Sequence, residues 1–192
     1  MPSLRSINHS QFLATIALLG LIPSLHAVEL NVCSLVTADD LAATNFKLTD
    51  KLNHNPPQKL PKADTDLWFD AVMQGCDVAQ GKEGRERFEL ILISGPRDIT
   101  EKELKSQYDQ ANDTDNRVVS QKKMIIGNSI CHTVVSNATN LRGKPDGTLN
   151  EFSCAGYKGK RMVELRIAVP SSSPQPTPTG VKALLDKVIG KL

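Results

Sequence analysis

Four cysteines constrain the fold of this 192-residue chain more than any other feature: Cys33, Cys76, Cys131 and Cys154. In an exported chain an even number of cysteines predicts disulfides, and four cysteines allow three connectivities. We favour the sequential pairing, Cys33–Cys76 with Cys131–Cys154, because each bridge then holds one half of the chain. We expect no metal site, since the sequence lacks the CxxC clusters and histidine pairs that bind zinc.

The first 27 residues predict export. Arg5 precedes an apolar run at 12–22, and the segment ends in the small side chain of Ala27. This arrangement is typical of a cleaved secretory signal peptide. The run is shorter than the roughly 20 residues that cross a bilayer, and no second run follows, so we expect no membrane span. Residues 28–192 are therefore predicted to form a single domain in the periplasm or outside the cell.

The charge balance argues against nucleic acid as a partner. The chain has 23 basic and 21 acidic residues, and removal of Arg5 hardly changes this balance. A near-neutral chain has no electrostatic attraction for a phosphate backbone. One Trp and two Tyr are also too few to build stacking platforms.

The region before residue 75 predicts one short helix and a long loop. Thr37 and Asp40 have the spacing of a capping box at a helix start. The proline-rich stretch within Asn45–Asp66 predicts an extended surface loop. The apolar patch Leu67–Met73 fits a strand or a short helix, and we expect Trp68 to lie in the core.

Alternating apolar segments predict an antiparallel sheet in the rest of the chain. The candidate strands are 75–80, 87–93, 117–119, 124–126, 130–135, 151–155 and 161–169. The last has the clearest alternation, which predicts one buried and one polar face. Polar turns are expected at 112–116 and 156–159, and a longer loop at 136–148.

Two more helices complete the prediction. Thr100 and Glu103 form a second capping box, which predicts a helix over 101–111. The proline-rich segment 170–179 predicts an extended linker to an amphipathic helix at 181–192. We expect this helix to cover the sheet, with docking on a partner as the alternative. The predicted class is α+β: an antiparallel sheet flanked by short helices, two disulfides and a C-terminal amphipathic helix.

No catalytic constellation is present. Only two histidines follow the leader, and an oxidised Cys131 beside His132 has no thiolate to act as a nucleophile. His54 lies in the proline-rich loop, and we expect His132 to be an ordinary strand residue. Two acidic groups do not match a calcium loop, so we interpret them as solvated turns. These are Asp64, Asp66 and Asp70, and Asp109, Asp113 and Asp115.

Several stretches resemble a family of small exported bacterial domains of unknown function, found in lipoproteins and sensor ectodomains. Cys33–Ala43 resembles the family's "Cys-Ser-Leu-Leu-Thr" start, and Cys76 resembles its second cysteine. Met124–Asn128 resembles its "hydrophobic-Gly-Asp" turn, and Val181–Leu192 its closing helix. The chain departs from the family at Ala43–Asn45 and lacks the lipid-bearing cysteine. The resemblance implies an α+β fold with an antiparallel sheet, and no catalytic residues.

We therefore expect a non-catalytic exported domain without a cofactor that binds a ligand or a partner protein. The ligand is expected against the sheet or near Asn45–Asp66. The alternative is an inhibitor or accessory subunit that uses the terminal helix or the basic tip Lys158–Arg161. A hydrolase that combines acidic residues with His132 is a third hypothesis.

Overall fold

The computed structural model describes residues 30–60, 71–110, 118–126, 128–139 and 145–192, without the side chains of 107–110. Within them, residues from Asn31 onward pack as one compact unit. Its strands are β1 (Asn53–Lys59), β2 (Val72–Gln80), β3 (Glu86–Ser94), β4 (Val118–Ile126), β5 (Ser129–Thr139), β6 (Pro145–Lys158) and β7 (Arg161–Pro170). Its α-helices are α1 (Ala38–Ala42), α2 (Glu101–Gln110) and α3 (Pro178–Lys191). All neighbouring strands are antiparallel, which confirms the α+β class.

The strand order across the sheet is β1-β2-β3-β7-β6-β5-β4. Three strands from the first half of the chain therefore meet four from the second half, and the two halves join where β3 pairs with β7. Every other strand pair lies within one half. This join brings together residues that are far apart in the sequence.

The two disulfides have the predicted sequential pairing. Cys33–Cys76 ties the 3-10 turn Val32–Leu35 to β2, with a Cα–Cα distance of 5.1 Å. Cys131–Cys154 joins directly opposite positions of β5 and β6, with a Cα–Cα distance of 4.0 Å. Each disulfide holds one half of the sheet.

One face of the sheet, which we call the helix face, is covered by α3. The helix buries its apolar side chains Val181, Leu184, Leu185 and Val188. It contacts β5, β6 and β7. The fit against β6 is close at Gly156, where a Cβ atom would lie 2.7 Å from Cδ1 of Ile189. The terminal helix thus covers its own sheet, as expected, and its apolar stripe is not available to a partner.

The segment before β1 packs against β2 and β3 on the helix face. The ring of Phe46 lies 6.3 Å from that of Phe88 in β3, measured between centroids. The predicted capping box begins α1: Asp40 N–H donates to Thr37 Oγ1 at 3.2 Å, and Thr37 N–H donates to Asp40 Oδ2 at 3.1 Å. Lys187 of α3 forms an ion pair with Asp40. A polar contact therefore joins α1 to the terminal helix.

The opposite face, which we call the second face, carries the other set of alternating side chains. The helix α2 covers one end of it. This helix also begins at the predicted capping box, where Thr100 N–H donates to Glu103 Oε2 at 2.9 Å. A hydrophobic cluster joins α2 to the sheet: Ala71, Ile99, Leu104, Ile130, Ala155 and Met162, with Leu60, Ile93 and Tyr157 partly buried around it.

The proline-rich loop prediction was wrong for residues 53–59, which form the edge strand β1. The register of β1 against β2 shifts between Asn55 and Gln58, and Pro56 and Pro57 occupy the shift. Proline has no N–H to donate, so it is tolerated in a sheet only at an edge or a bulge. The patch 67–70 with Trp68, the leader 1–27 and the turn 112–116 lie outside the described residues.

The strands of the second half are longer than predicted. β4 is continuous where the sequence predicts two separate strands, 117–119 and 124–126, because an edge strand can keep its lysines in water. β5 extends into the predicted loop 136–148 as far as Thr139. β6 begins within the same predicted loop, at Pro145. The turn predicted at 156–159 shrinks to 159–160, with Gly159 at a φ of 56°.

The proline-rich segment 170–179 runs along the end of the sheet and is held there by hydrogen bonds. Ser171 N–H donates to the carbonyl of Thr148 at 3.0 Å. The Asn45 side chain donates to the carbonyl of Gln175 at 3.0 Å. The helix α3 starts at Pro178, and Thr177 caps it by accepting from Gly180 N–H at 3.0 Å.

Candidate functional site

A cleft of about 610 Å³ lies on the part of the second face that no described element covers. We call it the sheet cleft. Its middle is formed by β6 and β7, one side by β2 and β3, and the other side by β5 and the start of β4. The residues that line it include Asp77, Ala79, Arg87, Glu89, Val118, Val134, Leu149, Glu151, Arg166 and Ala168. The volume is in the usual range of ligand pockets, about 300–1,000 Å³.

The strand register brings the charged side chains of the cleft together. In β7, Val163, Leu165 and Ile167 are fully buried, so the residues between them point to the second face. Arg166 pairs with Glu89 of β3 on one side and Ser153 of β6 on the other. A central strand with charges on one face therefore places an arginine in the middle of the cleft.

Two bulges shape the far side of the sheet cleft. The register of β4 against β5 shifts between Val118 and Ser120, and that of β5 against β6 shifts between Asn137 and Thr139. Val118, Asn137 and Thr139 all line the cleft. Because a β-bulge bends its strand and increases the local twist, these irregularities curve the strand ends at the border of the cleft.

Arg166 is surrounded by three carboxylates. Its Nη1 lies 3.3 Å from Glu89 Oε2, its Nε 3.2 Å from Glu151 Oε1, and its Nη2 2.9 Å from Glu164 Oε1. The Arg166 side chain is 42% exposed, so the group is in contact with solvent from the cleft. One guanidinium and three carboxylates leave an excess of negative charge. We call these four residues the Arg166 cluster.

The crowding of carboxylates changes how the cluster holds protons. Burial is the largest effect that raises the pKa of Glu151; Glu164 and Glu89 raise it further, while Arg166 opposes the shift. Burial alone would lower the pKa of Arg166, but Glu164, Glu151 and Glu89 together raise it above its usual value. Arg166 therefore stays charged, and Glu151 protonates more readily than an ordinary glutamate.

A second arginine ties the β2–β3 turn to the start of β6. Arg85 Nη2 lies 3.0 Å from Glu83 Oε2, and Arg85 Nη1 donates to the carbonyl of Asp146 at 2.9 Å. It also forms an ion pair with the Asp146 carboxylate, and this hydrogen bond is the largest cause that raises the pKa of Arg85. Arg85 and Glu83 both line the sheet cleft. Two of the lining arginines are therefore already engaged by carboxylates.

The hydrolase hypothesis requires His132, which is buried within the sheet. His132 is 4% exposed on β5, opposite Lys123 of β4 and Ser153 of β6. Its Nδ1 lies 3.3 Å from Nε2 of Gln121. The register therefore places a lysine and a serine beside His132.

The other predicted sites do not meet at the cleft. The disulfide Cys131–Cys154 lies on the helix face, on strand positions that alternate with the cleft residues. His54 is exposed on β1. At the Lys158–Arg161 tip, the carbonyls of Lys160 and Gly159 accept from Gly95 and Ile99, so its backbone is partly engaged. Asp64, Asp66, Asp70, Asp113 and Asp115 lie outside the described residues, as does the side chain of Asp109.

Sequence reasoning missed the Arg166 cluster, although part of its signal was present. The alternation of β7 predicts one buried and one polar face, and Glu164 and Arg166 both lie on the polar face. A strand with this much apolar content is central, and charges on the second face of a central strand need partners on the adjoining strands. Glu89 and Glu151 were not identified because the pairing of β7 was unknown.

The described ranges contain no group of three His, Cys, Asp or Glu side chains arranged to hold a metal ion. The same ranges contain no helix that is both long and apolar enough to cross a membrane.

No protein-family model matches the sequence, and no curated protein matches it either. Among solved structures, the chain is similar to the extracellular domain of PknH from Mycobacterium tuberculosis. The TM-score is 0.50 at 10% sequence identity, and the match covers 83% of this chain and 93% of that chain. At this identity the similarity shows a shared fold. This shared fold with an extracellular domain agrees with the resemblance to sensor ectodomains. No family model supports that resemblance.

Proposed function

We propose that this chain is an exported, non-catalytic domain that binds a ligand in the sheet cleft. The observation that carries the proposal is a pocket-sized cleft with the Arg166 cluster at its middle and apolar side chains of β5 and β6 beside it. Ligand sites combine this kind of apolar wall with a few convergent polar groups. A purely structural salt-bridge network would not require the adjoining cavity.

Two observations support export. Both cysteine pairs are joined as disulfides, which persist in oxidising compartments such as the periplasm and the cell exterior. The similar solved structure is the extracellular domain of PknH. These agree with the signal peptide that the first 27 residues predict.

The inhibitor or accessory-subunit hypothesis has less support. Its first candidate surface, the apolar stripe of α3, is buried against the sheet. Its second, the Lys158–Arg161 tip, donates from Arg161 to the carbonyl of Leu192 at 3.1 Å, which ties it to the end of α3. A ligand in the sheet cleft requires no rearrangement of either element.

The test compares ligand capture by the wild type with capture by a variant whose cleft is filled. Ala79 is exposed on β2 and lines the cleft, so Ala79→Trp places a large ring in the cavity without removing a charged group. The matched control is Ala183→Trp, on the exposed side of α3 over the other face. Each protein is incubated with a small-molecule extract, recovered by ultrafiltration, and analysed by mass spectrometry after denaturation.

We expect the wild type and Ala183→Trp to retain the same compound and Ala79→Trp to lose it, with all three giving the same circular dichroism spectrum. Retention by none of the proteins, or equal retention by all three, would contradict a ligand site in the cleft.

A further inference from the structure

The sheet cleft has an uneven charge balance that goes beyond the Arg166 cluster. Four carboxylates and three guanidiniums line it, and two of those guanidiniums contact two further carboxylates. The acidic members are Asp77, Glu83, Glu89, Asp146, Glu151 and Glu164, and the basic members are Arg85, Arg87 and Arg166. Among the described residues the cleft and its contacts therefore carry a formal charge of about −3. The chain as a whole carries +2.

Two of the three arginines are already held by carboxylates. Arg166 contacts three carboxylates and Arg85 contacts two. Arg87 donates from Nε to the carbonyl of Gly84 at 3.0 Å, which turns part of its guanidinium toward the backbone. At Arg85 or Arg166 an anionic ligand would have to displace a carboxylate, and at Arg87 it would still be repelled by the negative excess of the cleft. Binding an anion here is therefore opposed by the existing contacts.

A cation meets the opposite situation. Glu89 and Glu151 each have one carboxylate oxygen within 3.3 Å of Arg166, and their second oxygens are not used in that contact. A cleft with walls of low polarity and one dominant sign of charge concentrates counter-ions of the other sign. A positive group between Glu89 and Glu151 would also offset the mutual repulsion of the glutamates. The negative excess thus favours a cationic group at the middle of the cleft.

The rest of the lining is apolar on one side. Val134 of β5, Leu149 of β6 and Val118 of β4 lie along the side opposite β2 and β3. Val118 is 40% exposed, one of three large apolar side chains with such exposure in the part of the chain that the structure describes. Burial of an apolar body against these residues would remove that surface from water. An amphipathic ligand therefore fits both parts of the cleft.

We propose that the ligand of the sheet cleft is an organic cation, a compound with an ammonium or guanidinium group on an apolar body. This inference rests on the proposed function and specifies the class of ligand. Glu89 and Glu151 bind the cationic group, and Val118, Val134 and Leu149 contact the apolar body. Arg166 holds the glutamates in place through its ion pairs.

The test uses three probes that share one apolar body: 4-phenylbutylammonium, 4-phenylbutyrate and 4-phenylbutanol. Binding to the full chain is followed by NMR titration, which detects the weak affinity expected for ligands of this size. We expect the ammonium probe to bind at least about tenfold more tightly than the carboxylate, a difference of about 1.4 kcal/mol. Its affinity should fall as ionic strength rises from about 0.01 M to about 0.15 M, because added salt screens the attraction.

Variants locate the cationic group. Glu89→Gln and Glu151→Gln each remove one negative charge with little change in shape, and we expect each to weaken binding of the ammonium probe by about two- to fivefold. The matched control Asp186→Asn removes a charge from the exposed side of α3 and should bind the probe as the wild type does. The alcohol should respond much less to either cleft variant.

The outcomes separate this inference from the proposed function. Equal or tighter binding of the carboxylate, or no effect of the glutamate variants on the ammonium, would overturn the cation assignment while the cleft remains a ligand site. So would failure of all three probes if a compound is still retained from the extract and lost in Ala79→Trp. If neither the probes nor the extract yield a bound compound, both proposals fail.

Discussion

Glu151 connects the electrostatics of a single residue to the stability of the fold. Glu151 lies in β6, and its carboxylate is close to Arg166 and to the carboxylates of Glu89 and Glu164. Burial, followed by the two neighbouring glutamates, raises its pKa despite the arginine. The folded state therefore binds a proton at Glu151 more tightly than the unfolded chain does.

The sign of the pH effect follows from this difference. For a carboxyl group with a raised pKa, the contribution to the free energy of unfolding is most favourable at low pH and falls as the pH rises from the unfolded value through the folded one. We expect Glu151→Gln to remove that penalty. The variant should be more stable than the wild type at neutral pH, by up to about 1 kcal/mol, because the side chain is partly exposed.

The measurement is chemical denaturation of both proteins from about pH 4 to pH 7, a range that spans the ordinary glutamate pKa. The stability advantage of Glu151→Gln should grow with pH across this range. Glu101→Gln is the control, since Glu101 pairs with Lys105 on the exposed surface of α2, and should give no advantage at neutral pH. A Glu151→Gln protein that is less stable than the wild type at pH 7 would show that attraction to Arg166 outweighs burial and repulsion.

The contact between helix α3 and strand β6 depends on a glycine. A Cβ at position 156 would meet Ile189 Cδ1 at 2.7 Å, Ser129 Oγ at 3.2 Å and Leu185 Cδ2 at 3.4 Å. The helix packs this close to the sheet because β6 has no side chain there. The same helix contains Gly190, whose Cβ position has no atom within 4 Å.

These two glycines give opposite predictions. Gly156→Ala should destabilise the protein by about 1–3 kcal/mol, because the side chains of α3 must shift out of a packed core. Gly190→Ala should leave stability unchanged or raise it by up to about 1 kcal/mol, because alanine favours the helix. Thermal or chemical denaturation of the two single variants gives the comparison. Equal stability of Gly156→Ala and the wild type would mean that Ile189 adjusts without cost.

Elements with a regular apolar pattern were predictable from the sequence. Edge strands that contain prolines or lysines were not. β7 and α3 each bury one regular face, so periodicity identified them. The capping boxes at Thr37 and Thr100 depend only on residues three apart and were also identified. β1 was missed because its prolines indicate a loop, although an edge strand with a register shift accommodates them. β4 was divided because Lys122 and Lys123 interrupt its apolar ends, a pattern that an edge strand tolerates.

The sheet cleft forms only because the two halves of the chain join where β3 pairs with β7. Arg166 and Glu89 are 77 positions apart in the sequence and meet only because β3 pairs with β7. The composition of each strand was visible in the sequence. The register between the halves was not, because no local signal specifies which of two apolar strands pair across the middle of a sheet. The cleft could therefore not be predicted from the sequence, although the strands that form it could.

The disulfides act within the halves, while the β3–β7 ladder, apolar packing on both faces of the sheet and ion pairs such as Arg85–Asp146 hold the two halves together. The closed loops have sequence separations of 43 and 23 residues. In the chain-entropy model each removal, by Cys33→Ala with Cys76→Ala or Cys131→Ala with Cys154→Ala, should cost about 3–4 kcal/mol. Because α3 also binds the first half through Lys187 and Asp40, we expect one cooperative transition to remain in each variant.

Guanidinium denaturation followed by far-ultraviolet circular dichroism tests the size of the loss, and amide hydrogen exchange tests whether unfolding stays cooperative. Amides of β2 and β3 should be protected by the same free energy as those of β5 and β6, in the wild type and in both double variants. If removal of Cys33–Cys76 lowers protection in β2 and β3 alone, the first half unfolds by itself. The contacts between the halves would then be too weak to make them one cooperative unit, and a sheet cleft built across the β3–β7 pair would open without global unfolding.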